Sequence, residues 1–312
     1  MSQVLTITAP VPAGAVLYGA EWRDWFALLK PRVVTLVVLT GIVGMLVAPG
    51  HLNPVLAIAA VLSIAVAAGA AGAINMWYDR DIDAVMRRTA KRPIPAGKIA
   101  PGEALGFGIA LSFASVIVMA LATNFVAAAI LALSIAFYVF IYTIWLKRRT
   151  PQNIVIGGAA GAFPAVIGWA AVTGDVTVMP VLLFTIAFLW TPPHFWALSL
   201  YACKDYERAG VPMLPVTAGA RVTRWHILAY TLVLAPFAVL PWPLGYAGPV
   251  YGATAIVLGA GFILSAIRVM TDKQDADGVS LTKDAPARQT FRYSLAYLAI
   301  LFLAVAVDHY VS

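Results

Sequence analysis

Between residues 33 and 307 the chain alternates long apolar runs with short polar connections, and its lysines and arginines are confined to every second connection. Nine runs can be drawn, at about 33–48, 54–78, 104–122, 125–146, 154–172, 178–202, 227–244, 250–268 and 293–307. A stretch of about 17–25 apolar residues matches the ~30 Å hydrocarbon core of a bilayer. The first run is short and is expected to continue back through Pro31 and Arg32.

The charge pattern supports that count. Arg23, Lys30 and Arg32 precede the first run, and Arg80, Arg87, Arg88, Lys91, Arg92 and Lys98 follow the second. Lys147, Arg148 and Arg149 follow the fourth, and Lys204, Arg208, Arg221 and Arg224 follow the sixth. Arg268, Lys273, Lys283, Arg288 and Arg292 flank the last connection, which completes the 21 Lys and Arg residues of the chain. The connections around 49–53, 123–124, 173–177 and 245–249 carry none. By the positive-inside rule the N-terminus is then cytoplasmic and the C-terminus external.

Composition closes off other classes. The chain is 62% hydrophobic and only 11% charged, whereas soluble domains carry about a quarter charged residues. The net charge of +7 is accounted for by topology and attraction to an anionic leaflet, so it implies the lipid bilayer and no nucleic acid as partner. The lone Cys203 excludes an internal disulfide. The first twenty residues show no removable targeting pattern, and a bacterial inner membrane is the expected location.

Two connections are long and chemically dense, at 79–101 and 203–225; each follows a long run, four runs apart, and each holds a proline pair. The expected fold is therefore all-α: a single membrane domain over residues 1–312 with a cytoplasmic tail to about residue 25. Two four-helix halves plus a ninth helix would surround a cavity open to the cytoplasmic side. The connection "TDKQDADGVSLTKDAPARQ" reads as a solvated linker; its Asp272, Asp275 and Asp277 lack the distal Glu of a calcium loop. Pro164, Pro192-Pro193 and Pro236 fall inside runs, where each removes a backbone donor and is expected to disturb a helix.

The most informative stretch is "AINMWYDRDIDAVMRRTAKRPIPAG", from Ala73 to Gly97. Asn75, Asp79 and Asp83 are spaced i, i+4, i+8, so on a helix they form one polar ladder about 12 Å long. Oxygen ligands of this kind suit Mg²⁺, which accepts a few carboxylates and completes its shell with substrate phosphate. Two such ions would neutralise a diphosphate leaving group, with Arg87, Arg88, Lys91, Arg92 and Lys147 as further diphosphate ligands. Asp81 lies off the ladder and is expected to pair with an arginine. In the second dense loop Lys204, Asp205 and Arg208 are positioned to complete the site from the opposite half. The bland alternative is that these charges mark a membrane boundary. That covers Lys98, Arg148 and Arg149 well, but topology does not call for carboxylates.

"NMWYDRDIDAVMRRTAKRPIP" resembles the first motif of the UbiA-type intramembrane prenyltransferases, Asn-x-x-x-Asp-x-x-x-Asp. "WLKRRTPQNIVIGGAAGAFPAVIGW", "WTPPHFWALSL" and "KDYERAGVPMLPV" are similar to the heme-farnesylating members of that superfamily, over a region from about Lys30 to the ninth run. The resemblance implies transfer of a farnesyl group from farnesyl diphosphate to a vinyl group of heme b, with water addition, giving heme O and diphosphate. It implies Asn75, Asp79, Asp83 and Asp205 as Mg²⁺ ligands, with Asp79, Asp83, Asp205 and Lys204 carrying catalysis. A downstream heme A synthase or terminal oxidase assembly is implied as the partner that receives the product. Two positions depart from the superfamily pattern: Ala209 stands where many members carry a second acid, and Ala165 where a second proline is expected.

His194 is the only histidine well inside a run. The resemblance suggests that it binds heme, with Trp190 and Trp196 walling the porphyrin; the alternative is a ring that satisfies carbonyls freed by Pro192-Pro193. Two rival functions remain at this point. A prenyltransferase acting on another aromatic or quinone precursor would differ in its acceptor. A membrane transporter, with discontinuous helices near the midplane, would need no acidic ladder at its mouth.

Overall fold

Backbone inside lipid must satisfy its own hydrogen bonds, and apolar runs of this length do so as helices. A computed structural model describes residues 19–276 and 278–311; most of the expected tail and Asp277 lie outside the described residues. The helices are α1 (Trp22–Leu28), α2 (Pro31–Leu46), α3 (Pro54–Tyr78), α4 (Arg80–Val85), α5 (Pro101–Ala122) and α6 (Phe125–Ala136), which runs on into a π-helix, Phe137–Leu146. They continue with α7 (Asn153–Gly157), α8 (Ala159–Thr173), α9 (Val178–Tyr201), α10 (Cys203–Arg208), α11 (Leu214–Thr217), α12 (Gly219–Phe237), α13 (Pro249–Met270) and α14 (Ala285–Val311). Seven helical stretches are long and apolar enough to cross a membrane, or eight if α1 and α2, bent by 53° at their junction, count as one span.

The structure corrects three expectations. The seventh apolar run, 227–244, is not one helix: α12 starts eight residues earlier and stops at Phe237. Its first turns carry Arg221, Arg224 and His226, which dilute its apolarity, while Pro241 and Pro243 remove donors beyond its end and leave a series of turns. Pro192-Pro193 does not break its helix, because α9 is continuous from Val178 to Tyr201. Packing on both sides holds the helix through the two missing donors, as neighbouring helices allow in membrane bundles. The last connection is not simply solvated. Arg224, 1% exposed, reaches into it, donating to the Gly278 carbonyl at 2.8 Å and lying 3.6 Å from Asp284. Ser280 and Thr282 both donate to Asp272, at 2.6 and 2.7 Å.

Packing follows a closed circuit: α3 against α5, α5 against α6, α6 against α8, then α9, α12, α13 and α14, with α14 returning to α2 and α2 to α3. The largest apolar core lies among α2, α8, α9, α13 and α14 and includes Leu183, Ile186, Phe262, Tyr297 and Phe302. Lipid gives helices no hydrophobic drive to associate, so small residues that admit close backbone contact matter most. The α2–α8 crossing shows this. A Cβ on Gly44 would stand 2.1 Å from the Ala165 carbonyl oxygen, and one on Gly168 2.0 Å from that of Gly41.

Candidate active site

The ladder read from the sequence survives the end of its helix. α3 closes at Tyr78 and α4 opens at Arg80, yet the i to i+4 bonds continue, from Asp79 N to the Asn75 carbonyl at 2.9 Å and from Asp83 N to the Asp79 carbonyl at 2.8 Å. Asn75, Asp79 and Asp83 stay in helical register and are all buried. Buried carboxylates require charge partners, and each has one.

Asp79 is the centre. It accepts from the Asn75 amide at 2.7 Å and from the Lys147 ammonium, and Arg148 stands 3.4 Å away. Lys147 closes the π-helix, whose wider i to i+5 turn also sets Thr143 Oγ1 3.1 Å from the Asn75 amide. Arg148 forks onto Asp81 at 2.6 and 2.7 Å and lies over the Tyr78 ring at 4.7 Å. Partial burial opposes ionisation of Asp81, but the Arg148 hydrogen bonds prevail and hold its carboxyl below the usual range. Asp83 accepts from Arg92 at 2.6 Å, while its own carbonyl accepts from Thr89 at 2.9 Å. Asn75 Oδ1 accepts from Lys30 at 2.6 Å. Lys30 is delivered by the bend between α1 and α2, where it adopts a left-handed φ of 51° just before Pro31.

Three aspartates thus face Lys30, Arg92, Lys147 and Arg148, an excess of one positive charge. Sequence reasoning found the acids, Arg92 and Lys147. It passed over Lys30, Arg148 and Thr143, which come from elements 45 to 70 residues away from their partners.

Other expected residues lie at the margin. Arg87, Arg88, Lys91 and Lys204 are exposed and form no ion pair among the described residues. Asp205 pairs with Arg208 on its own short helix, α10. The two dense loops nevertheless touch: Ile82 and Met86 share an apolar cluster with Tyr206, Val211 and Met213. Among the described residues no three His, Cys, Asp or Glu side chains converge in a metal-binding arrangement.

Beside the ladder, a cavity of about 140 Å³ runs between α2, α3, α6 and α8. Its walls are mostly small or aliphatic, including Ala68, Gly72, Leu131 and Gly161, and Lys30 and Tyr138 stand at its polar end. The Lys30 ammonium lies 6.0 Å from the Tyr138 ring centre.

His194 is placed differently. Its Nδ1 lies 2.7 Å from Ser294 Oγ on α14, and its ring stacks between Trp190, at 4.2 Å, and Phe291, at 4.6 Å. Trp190 donates to the Ser294 carbonyl at 2.7 Å. Trp196 is turned the other way, edge-on to His226 and Tyr230 of α12. Trp190 and His194 together fasten α9 to α14. Ser294→Ala is therefore expected to lower thermal stability in detergent by about 1 kcal/mol, the scale of one buried hydrogen bond. Stability unchanged within a few tenths would remove the His194–Ser294 contact from the account of this seam.

A multi-helix membrane bundle with a buried acid–amide ladder beside an apolar cavity defines a class, the intramembrane prenyltransferases. Residues 37–295 match the UbiA prenyltransferase family, and the chain belongs to that family. A solved relative of the fold, a UbiA homolog from Archaeoglobus fulgidus bound to DMAPP and Mg²⁺, superposes with a TM-score of 0.65 at 16% identity, covering 91% of this chain and 99% of that one. Much more similar in sequence are the protoheme IX farnesyltransferases. The one from Granulibacter bethesdensis is 68% identical over 96% of this chain and 95% of its own length. That of Acidiphilium cryptum is 65% identical over 95% and 93%.

Proposed function

We propose that this chain transfers the farnesyl group of farnesyl diphosphate to a vinyl group of heme b, with addition of water, to give heme O and diphosphate. The observation that carries the reading is the buried Asn75–Asp79–Asp83 ladder, ringed by cations and opening beside an apolar cavity. The names of the most similar relatives supply the donor and the acceptor.

The donor set on α3 and α4 fits Mg²⁺: an amide oxygen and two carboxylates at helical spacing, with cations close enough to exchange partners. Asn75, Asp79 and Asp83 would hold the metal, with Asp205 completing the set across the loop contact, and Ala209 supplies no second acid there. Bound Mg²⁺ would offset diphosphate charge as the leaving group departs.

The chain's own residues do the remaining work. Lys30, Arg92, Lys147 and Arg148, now on carboxylates, would turn to diphosphate oxygens; Arg87, Arg88, Lys91, Lys204 and Arg208 extend the same field at the rim. Each donor aimed at developing charge lowers the ionisation barrier. The apolar cavity receives the start of the farnesyl chain and keeps water from the allylic cation. The vinyl π electrons attack C1 of that cation, and water captures the new cation beside the pyrrole and loses a proton to the departing diphosphate or to solvent. We assign Trp190 and His194 to the seam that shapes the acceptor side.

Purified protein with farnesyl diphosphate and heme b is expected to release diphosphate and form hydroxyethylfarnesyl heme only when Mg²⁺ is present. Farnesylation of a quinone or aromatic-acid precursor in place of heme would overturn the acceptor. Absence of diphosphate release with any acceptor would overturn prenyl transfer.

We further propose nine crossings of a bacterial inner membrane, with α12, whose apolarity Arg221, Arg224 and His226 dilute, as the ninth. The ladder and cavity then open to the cytoplasm, and product passes to a heme-modifying oxygenase or a terminal oxidase. A reporter fused after Arg92 or Arg224 is expected to read cytoplasmic, and one fused after Ser312 external. A cytoplasmic reading after Ser312 would mean eight crossings, with α12 failing to traverse.

A further inference from the structure

The cations at the mouth fall into three sets: one belongs to the ladder, Arg87, Arg88, Lys91 and Lys204 stand at the rim, and a further pair lies on α14. Lys30, Arg92, Lys147 and Arg148 are engaged with Asn75 and the three aspartates. Arg288 and Arg292 lie one turn apart on α14, exposed, and take part in no ion pair among the described residues. Positive-inside topology accounts for their sign but not for their setting.

Arg288 lies over the Tyr201 ring, with Cζ 4.3 Å from the ring centre, and its Nε donates to the Lys283 carbonyl at 3.2 Å. Its stem is thereby held at two points, and its terminal nitrogens enter no ion pair among the described residues. Arg292 follows one turn later on the same face of α14 and is likewise exposed. Asp284, four residues before Arg288, is directed to Arg224 at 3.6 Å. One turn deeper on α14, Phe291 stacks on His194 and sits edge-on to Tyr201, 6.2 Å away. The rings of Tyr201, Phe291 and His194 therefore form an aromatic series leading to Arg288, with Arg292 one turn further along α14.

We propose that Arg288 and Arg292 bind the two propionate carboxylates of the porphyrin acceptor and so set which edge of the macrocycle enters the membrane. The inference rests on the heme reading above. Planar guanidinium groups pair with carboxylates in two-point fashion. The acceptor carries two carboxylates on one edge, whereas the allylic diphosphate carries its charge at the opposite cation set. The cations thereby separate by substrate: the ladder set and the rim for diphosphate, the α14 pair for carboxylate. An anionic lipid phosphate offers related chemistry, and the test includes it.

Heme b and its dimethyl ester, in which both carboxylates are masked, would be titrated into the full-length protein in nanodiscs with and without anionic lipid. The wild type is expected to prefer heme b by about tenfold or more, the scale of one charge-assisted hydrogen bond. Arg288→Gln/Arg292→Gln should abolish that preference, Arg288→Lys/Arg292→Lys should restore part of it, and farnesyl diphosphate affinity should not move in either. Equal binding of heme and ester by the wild type would overturn the proposal while leaving the heme reading intact. No binding of either porphyrin would overturn both. A preference that survives in the Gln variant, with only anionic-lipid retention lost, would assign the two arginines to lipid and overturn the proposal. The wild-type comparison needs no variant, so a misfolded mutant does not shield the idea.

Discussion

Asp79→Ala is expected to cut product formation about a hundredfold or more while the protein still inserts in the membrane. Loss of one preorganised electrostatic group removes about 3 kcal/mol of transition-state stabilisation, and each ~1.4 kcal/mol is tenfold in rate. Asp79 touches Asn75, Lys147 and Arg148 and is fully buried, so its removal also leaves cations without a counter-charge. Breaking a buried pair from one side costs about 3–5 kcal/mol, which could mimic a catalytic defect by unfolding the site. The double variant Asp79→Ala/Lys147→Met separates the two effects, because it removes both members of the pair. Stability should recover toward wild type while turnover stays low. Recovery of turnover together with stability would reduce Asp79 to a structural role and sink the ladder as the diphosphate site. Asp83→Ala should show the same pattern with a smaller stability loss, since its partner Arg92 can turn to solvent.

The ladder was legible because its information is local. Asn75, Asp79 and Asp83 are four apart, and the same spacing is written in the backbone bonds that cross from α3 into α4. The apolar runs were legible for the same reason, to within a residue at both ends of α3 and α9 and at the C-terminal end of α5, which starts three residues earlier than its run. What the sequence hid depends on distant partners. Lys30 looks like one more boundary cation until the 53° bend turns it onto Asn75. Arg148 looks like a positive-inside marker, since charges that fix topology and charges that hold the buried carboxylates are the same residues in the same loops. The π-helix of "FYVFIYTIWL" leaves no mark in composition, yet its i to i+5 closure puts Lys147 on Asp79 and Thr143 on Asn75. His194 was conspicuous after Pro192-Pro193, but its partner Ser294 is a hundred residues on, and nothing near Ser294 announces the contact. The helix α12 was misplaced because hydropathy sees only its apolar end, while Arg224 and Thr223, both buried, belong to its first turns.

Gly168→Ala is expected to lose most folded protein, whereas Gly161→Ala, two turns earlier on the same helix, should be neutral or slightly stabilising. On propensity alone both changes favour the helix, by up to about 1 kcal/mol. The surroundings reverse the sign at one position only. A Cβ at Gly161 meets nothing within 4 Å, but at Gly168 it would stand 2.0 Å from the Gly41 carbonyl oxygen and 3.0 Å from the Met45 nitrogen. Both are backbone atoms of α2, so no rotamer can relieve the overlap and the two helices must separate. Overpacking typically costs about 1–3 kcal/mol where side chains can yield, and here the cost should exceed that range. The consequence reaches the chemistry through α2, whose N-terminal turn sets Lys30 against Asn75. Any Gly168→Ala protein recovered in detergent should therefore show weaker farnesyl diphosphate binding as well as a lower melting temperature. Equal melting temperatures for the two variants would mean that the α2–α8 crossing is looser than its backbone contacts indicate, and would detach Lys30 from that crossing.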